Sequence, residues 1–205
     1  TGSFQNCQDV STGEVDVAVA TSDVVLNAYN GTGKFADIGK LDNLRVIGAV
    51  YTSVLSGVAL KSSGLTYIHD LLGKRVAVGP AASAPENATL AAFAAMDITK
   101  DNTALIDKVI AGNAAYIQTK IPAGTYTGQD NDANTFGVKC LIIVTADMDA
   151  DLVYDLCKAM NEHTEEMAAG NALLKDMTDP SFLCTQMPIP LHDGAQKYYS
   201  EQGLI

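Results

Sequence analysis

The sequence is poor in positive charge and has no long apolar run. Its 205 residues include 24 acidic but only 13 basic side chains, which gives a formal net charge of −11. A surface of that sign repels phosphate backbones and anionic lipid heads, so nucleic acid is not expected as a partner. No apolar run approaches the roughly 20 residues that a membrane-spanning helix requires. With 47% hydrophobic residues, the chain is nevertheless able to build a core, as one large domain or two small lobes.

Catalytic and metal-binding motifs are also lacking. The sequence contains no GxSxG, no HExxH and no phosphate-binding loop, and its cysteines form no CxxC pair. The histidines have no short spacing to one another or to a cysteine. We therefore predict no catalytic residue, metal or cofactor, and we predict buried free thiols, although an oxidising compartment would permit a disulfide. Residues 1–10 lack the basic and apolar regions of a signal peptide, which predicts that such a peptide is absent or already removed.

What is present is a pattern of strands that lead into helices. Residues 14–23 predict a strand and then a short helix, with Asp23 as its N-terminal cap and Gly31 just past its end. Two further segments, 44–51 and 56–61, are rich in Val, Ile and Leu without clean alternation. Such segments are typical of strands covered on both faces in an α/β fold.

The second part of the chain gives clear elements and one gap. We predict strands at 75–78 and 135–145, a helix beginning near Pro85, an amphipathic helix over 149–167 and a final helix that carries Tyr198 and Tyr199. Between 97 and 121 the pattern favours only a short helix around 105–110. A strand–helix unit of a parallel sheet needs a returning strand, so the second lobe is expected to be incomplete.

Four segments resemble the TAXI family of solute receptors. They are GEVDVAVATSDVVLNAYNGTG at 13–33, IPAGTYTGQD at 121–130, VKCLIIVTADMDADLVYDL at 138–156 and PIPLHDGAQKYYSEQGL at 188–204. The resemblance implies a type II periplasmic-binding-protein fold, in which two α/β lobes close on a solute. It implies a discontinuous first lobe at 1–72 with 132–205, and a second lobe at 73–131.

The same resemblance implies a function. Receptors of this family lie outside the cytoplasm, in the periplasm or tethered at the outer face of the cytoplasmic membrane. They deliver a small organic anion, such as a glutamate-like or 2-oxoglutarate-like carboxylate, to a TRAP permease. This sequence departs from the family pattern in two ways: it begins after the glycine-rich loop that helps to line the ligand site, and it lacks an acidic helix-and-strand stretch near Thr103 and Ala104.

The candidate site lies where strands end and helices begin, since ligands of α/β folds bind at these loops. Thr21 and Ser22 follow the first predicted strand, and their hydroxyls and amides are expected to hold a carboxylate. Asp23 either joins them or only caps the next helix.

Three other candidates come from later loops. The loop at 80–87 resembles a family loop at a helix start, but alanines and a proline replace its glycines and threonine. Ser83 is its clearest remaining donor, and a plain loop with a helix cap is the alternative. Tyr51 and Tyr126 are suited to cover a ligand, the alternative being core or rim tyrosines, and Gln129 is a weaker candidate.

Two other functions remain open at this point. The same clamp serves as the ligand-binding lobe pair of sensor proteins, although no DNA-binding helix pair accompanies it here. An enzyme on a similar two-lobed fold is the less favoured alternative, because no nucleophile–base pattern is visible.

Overall fold

The computed structural model describes residues 2–78, 84–95, 102–127 and 129–205. In these ranges the chain has a mixed α/β architecture. The strands are β1 (Ala18–Thr21), β2 (Leu44–Val54), β3 (Tyr116–Ile121) and β4 (Ala133–Thr145). The α-helices are α1 (Ser3–Thr12), α2 (Ser22–Asn30), α3 (Ala84–Ala95), α4 (Asn102–Gly112), α5 (Ala150–Glu162), α6 (Thr164–Gly170), α7 (Pro180–Cys184) and α8 (Asp193–Glu201). Short 3₁₀ helices occupy Gly33–Phe35, Lys61–Ser63, Ile68–Leu71 and Ala172–Thr178.

The strands form one small sheet around β4. Strand β4 lies between β1 and β2, and β3 also pairs with β4. The β1–β4 pair is antiparallel, with Ala18 opposite Ile143 and Thr21 opposite Cys140. The end of β1 therefore lies beside Cys140.

The chain divides into two compact units. Unit 1 comprises Thr1–Ser53 and Val138–Ile205, and unit 2 comprises Val54–Gly137. Both divisions fall inside strands, in β2 and in β4. The lobe boundaries expected from the sequence, 1–72 with 132–205 and 73–131, stay a prediction.

Unit 1 has a hydrophobic core on each face of its strands. Consecutive strand residues enter different cores: Val46 and Ile143 pack with α1 and α2, whereas Ile47 and Val144 pack with α5 and α8. Helices therefore cover both faces, which explains why β2 and β4 are continuously apolar rather than alternating.

Several predicted elements are confirmed. The strand and helix at 14–30 are β1 and α2, and Gly31 ends α2 with φ 65°. The strand at 135–145 is β4, and the final helix with Tyr198 and Tyr199 is α8. The cysteines, Cys7, Cys140, Cys157 and Cys184, are all buried and free, as predicted.

Two predicted strands are wrong. Residues 56–60 and 75–78 have no regular secondary structure. Val58 is 89% exposed and Leu60 is 78% exposed. A strand is stable only when it pairs and buries a face, and neither condition is met by the exposed valine and leucine of this segment.

Three further expectations need correction. Residues 97–121 do contain a strand, since β3 occupies Tyr116–Ile121. The helix expected over 149–167 is broken at His163, whose φ of −112° and ψ of 15° end α5 and begin α6. The N-cap of α2 is Thr21, so Asp23 lies inside the first turn instead of capping it.

Helix length in the described ranges is modest. None of the helices there combines the length and the apolar composition that crossing a membrane requires.

Candidate ligand-binding site

Two helix N-termini meet at Thr21 in unit 1. Thr21 is the N-cap of α2, and its backbone N–H donates to Ser3 Oγ, the first residue of α1, over 3.1 Å. The Thr21 hydroxyl also lies 3.4 Å from Ser3 Oγ. Because each helix start carries free N–H groups and about half a positive charge, the two starts together favour a negative ligand group.

Ser3 is more accessible to a ligand than Thr21 or Ser22. Thr21 and Ser22 are buried, with exposed fractions of 7% and 2%, whereas Ser3 is half-buried. Among the hydrogen bonds of the described residues, Ser3 Oγ acts only as an acceptor. Its own proton therefore remains available to an acceptor such as a carboxylate oxygen.

Asp23 is a buried acidic residue next to Ser22. Its carboxylate is fully buried in the first turn of α2. Burial, and then the charge of Asp23, raises the pKa of Cys7 to about 12. The pKa of Cys140 is raised by burial and by Asp23, against the lowering effect of the nearby Tyr51 hydroxyl. Both thiols are therefore neutral at physiological pH.

Tyr51 approaches the site from β2. The nearby Cys140 thiol on β4 is the main reason that the pKa of Tyr51 rises to about 12. Cys140 in turn lies opposite Thr21 on β1. Thr21, Cys140 and Tyr51 thus lie on three neighbouring strands, and the Tyr51 side chain is half-buried.

Lys139, a cation of β4, is directed away from Thr21. The backbone N–H of Lys139 donates to Ser22 Oγ over 3.1 Å, but the Lys139 ammonium donates to the carbonyls of Phe182 and Thr185. Burial lowers the pKa of Lys139. The ammonium therefore caps the end of α7.

The structure brings together three of the five predicted site residues. Thr21, Ser22 and Tyr51 lie in unit 1 around Cys140. Ser83 lies outside the described residues. Tyr126 belongs to unit 2, where it is 49% exposed and its hydroxyl lies 2.9 Å from Ser56 Oγ.

Sequence reasoning missed three residues of this region. Ser3 belongs to a helix that the sequence did not predict, and Cys140 and Lys139 lie inside a strand. The only sequence signal was the lysine itself, which interrupts an otherwise apolar run. Gln129, the weaker candidate, donates to the carbonyls of Ile121 and Asn131 and so braces its own loop.

A separate groove of about 410 Å³ lies at the other end of the β1–β4 pair in unit 1. Apolar side chains and two carboxylates line it, and the residues are Val10, Gly13, Val15, Asp16, Val17, Thr145, Asp147, Met148, Leu152 and Leu156. The nearby Thr145 hydroxyl is the main reason that the pKa of Asp147 is lowered. This groove has the wrong charge for an anion.

Comparison with known families gives one match over most of the chain. The model of the NMT1-like family matches residues 1–109 and 102–203. The two matched segments overlap at 102–109, the region of Thr103 and Ala104 in which the sequence is expected to lack a stretch of the family pattern. The match includes every element of unit 1 that forms the site around Thr21.

Proposed function

Because the chain belongs to the NMT1-like family, whose members are periplasmic-binding-protein-like proteins with an extracytoplasmic solute-binding role, we propose that it is a solute receptor for a small organic anion. The family is one of binding proteins and not of enzymes. More narrowly, we propose a receptor of the TAXI type that hands its ligand to a TRAP permease. The four segments that resemble TAXI receptors support this narrower proposal.

The convergence of the starts of α1 and α2 at Thr21 is the main observation in favour of an anionic ligand. An oxygen of the ligand would accept the Ser3 proton and lie in the field of both helix starts. Such a site needs no lysine or arginine, which suits a chain with a net charge of −11. The negative net charge also disfavours bulky polyanions, since the long-range field of the protein repels them.

Tyr51 supplies the second part of the site. Its half-buried ring is able to cover the aliphatic body of a ligand, while its oxygen contacts a polar group. A glutamate-like or 2-oxoglutarate-like molecule has this combination of carboxylate and short carbon chain. Closure of two lobes on the ligand, with Ser83 and Tyr126 as additional contacts, is a further part of the proposal.

Thermal unfolding with a panel of small acids tests the proposal. A ligand that binds only the folded protein stabilises it by about 2.7 kcal/mol at a hundredfold excess over Kd, so at least one organic acid, amino acid or keto acid should raise the Tm clearly. Ser3→Ala should reduce that shift. Ser200→Ala, which removes an exposed hydroxyl in α8, is the matched control and should leave it unchanged.

Two other results would contradict the proposed receptor function. If no acid raises the Tm while a chromogenic substrate is turned over, the enzyme alternative is correct. If an acid binds but reconstituted TRAP permease gives no receptor-dependent uptake into proteoliposomes, the sensor alternative gains and the TAXI assignment fails.

A further inference from the structure

We propose that the groove at the Val17 end of the β1–β4 pair is a second ligand site, which takes a small organic cation with a short aliphatic body, such as a primary amine. All of its lining residues belong to unit 1. Under the proposed function the site around Thr21 takes an anion, so the two sites differ in ligand class. Neither proposal depends on the other.

The lining of the groove has the composition of a small-molecule pocket. Its volume of about 410 Å³ lies in the range of such pockets, which are mostly apolar and carry a few polar groups that orient the ligand. Here most lining side chains are Val, Leu or Met, and the polar ones are those of Asp16, Asp147 and Thr145. A ligand that fits therefore has an apolar body and one charged or polar end.

The apolar walls of the groove are open to solvent. Val15, Val17 and Leu152 are large apolar residues, yet their exposed fractions are 40%, 43% and 51%. A short aliphatic chain placed between them would remove apolar surface of both the protein and the ligand from water. This burial supplies an attraction that does not depend on charge.

Hydrogen bonds hold both of the chain segments that form the groove. On one side, the N–H groups of Glu14 and Val15 donate to the Asp9 carbonyl over 2.8 and 3.2 Å. On the other side, the Met148 N–H donates to the Thr145 carbonyl over 3.3 Å. The walls are therefore formed before a ligand arrives, which lowers the entropic cost of binding.

The charge of the groove favours a cation. The two segments that line it, residues 13–17 and 145–156, contain six acidic residues and no basic one. Among these, Asp16 and Asp147 line the groove itself. The nearby Thr145 hydroxyl is the main reason that the pKa of Asp147 is lowered, so this carboxyl is ionised at neutral pH. An ammonium group in the groove would lie close to these carboxylates.

The start of α5 beside the groove does not reverse this charge. A helix start carries about half a positive charge, which by itself would favour an anion. However, the Asp149 side chain caps α5 and accepts the Leu152 N–H over 2.8 Å, and Asp151 lies in the first turn. These two acidic side chains offset the partial charge of the helix.

An organic cation fits this lining better than a metal ion does. Calcium and magnesium require about six or more oxygen ligands, whereas the lining offers two carboxylates among apolar side chains. In the ranges that the structure describes, no group of three or more His, Cys, Asp or Glu residues could hold a metal. The apolar majority of the lining therefore decides for a ligand with carbon in it.

Methyl NMR of the full chain with three probes of equal length tests the site. The probes are hexylammonium, hexanol and hexanoate, which share an aliphatic body and differ in the charge of the head group. Hexylammonium should bind about threefold or more tightly than hexanol, and hexanoate should not bind in the groove. The methyl signals that should shift with hexylammonium are those of Val10, Val15, Val17, Met148, Leu152 and Leu156.

Matched variants show whether the lining residues are responsible. Asp147→Asn should weaken hexylammonium binding about two- to fivefold and leave hexanol binding unchanged. Asp155→Asn removes an exposed acidic residue of α5 outside the lining, so it is the control for the general negative field and should have a smaller effect. Leu152→Asn should weaken both ligands about threefold, because apolar contact is lost. Leu173→Asn, at a 65% exposed leucine elsewhere in unit 1, should change neither.

Several results would overturn the cation site. They are absence of hexylammonium binding, equal binding of hexylammonium and hexanol, and equal effects of Asp147→Asn and Asp155→Asn. A peptide of lysine and leucine that binds the groove where hexylammonium does not would assign the groove to a protein partner. Groove signals that shift with protein concentration alone would assign it to a second copy of the chain. The acid panel tests the Thr21 site separately, so failure of either site leaves the other standing.

Discussion

The Lys139 ammonium lies 4.4 Å from the centre of the Phe182 ring and donates to the carbonyl of the same residue over 2.9 Å. A second bond, to the Thr185 carbonyl, measures 2.8 Å. Lys139 is 2% exposed. One buried side chain of β4 thus satisfies two carbonyls at the end of α7, in the way that lysines cap helix C-termini.

Replacement of this lysine should destabilise the protein. Lys139→Met keeps the length of the side chain but leaves two carbonyls without their donor, so we expect a loss of about 1–3 kcal/mol in the free energy of unfolding. Urea denaturation measures it. Lys158→Met, which removes only a half-exposed partner of Glu162, should change stability by less than about 0.5 kcal/mol. Equal effects of the two variants would show that the α7 contact contributes nothing.

Tyr51→Ala should separate binding from folding. If the ring covers the ligand, the affinity for an acid that raises the Tm should fall by about 1–3 kcal/mol, while the free protein loses little stability because the side chain is only half-buried. Calorimetry and thermal unfolding measure the two effects. Tyr67→Ala, at a tyrosine of unit 2 that is 47% exposed, is the matched control. Unchanged affinity in Tyr51→Ala would remove Tyr51 from the site.

Alkaline pH should weaken the fold through its buried thiols. Burial raises the pKa of Cys157 from 9.0 to about 11, so the folded state holds the proton more tightly than the unfolded chain. The resulting stabilisation is complete below pH 9 and is lost as the pH rises from 9 to 11. One pKa unit corresponds to about 1.4 kcal/mol, so Cys157 alone accounts for roughly 2–3 kcal/mol.

The measurement is urea unfolding at intervals between pH 8 and 11 under reducing conditions. Cys157→Val should show a shallower decline than the wild type, because one of the groups that release a proton on unfolding is gone. Parallel declines in both proteins would mean that the Cys157 thiol is not shielded.

The contact between α8 and α5 leaves no room for a side chain at Gly194. A methyl group there would overlap the Ala150 carbonyl and lie 3.0 Å from both the Tyr154 nitrogen and Val153 Cβ. We expect Gly194→Ala to cost about 3 kcal/mol or more, since backbone must move to accept it. Gly170→Ala, at a glycine with open space around its Cβ position, should be almost neutral in thermal unfolding. A stable Gly194→Ala variant would contradict this packing.

Gly31 and Gly13 form a second matched pair. Both end a helix with positive φ, 65° for Gly31 and 77° for Gly13, so alanine at either should cost roughly 1 kcal/mol of backbone strain. Only at Gly31 would the added carbon also lie 2.9 Å from a backbone atom, the Lys40 nitrogen. Gly31→Ala should therefore be the more destabilising variant in chemical denaturation, and the reverse order would contradict the close approach.

Elements with a strong local pattern could be predicted from the sequence. The strand that ends at Thr21, the helix after it and the glycine stop at Gly31 all follow from neighbouring residues. Residues 56–61 have a similar strand composition, yet they form none, because pairing depends on a partner far away in the chain. His163 interrupts a helix whose apolar period continues on both sides, so periodicity alone could not reveal the break.

The residues of the candidate site also divide into those that a local pattern predicts and those that depend on tertiary contacts. Thr21 and Ser22 were found because a strand end followed by a helix start is a local feature. The proximity of Tyr51 to Cys140 could not be predicted, because it depends on β4 lying between β1 and β2. Ser3 entered the site only through the packing of α1 against β1.

The sequence by itself determined the acidic surface, the α/β character, the buried thiols and the family resemblance, since these depend on composition and on neighbouring residues. Only the tertiary structure decided that two helix starts converge on Thr21, that the Lys139 ammonium caps the end of α7 and that Tyr51 lies near Cys140. These contacts join residues that are distant in the chain, and their free energy depends on packing and strand pairing, which no local pattern contains.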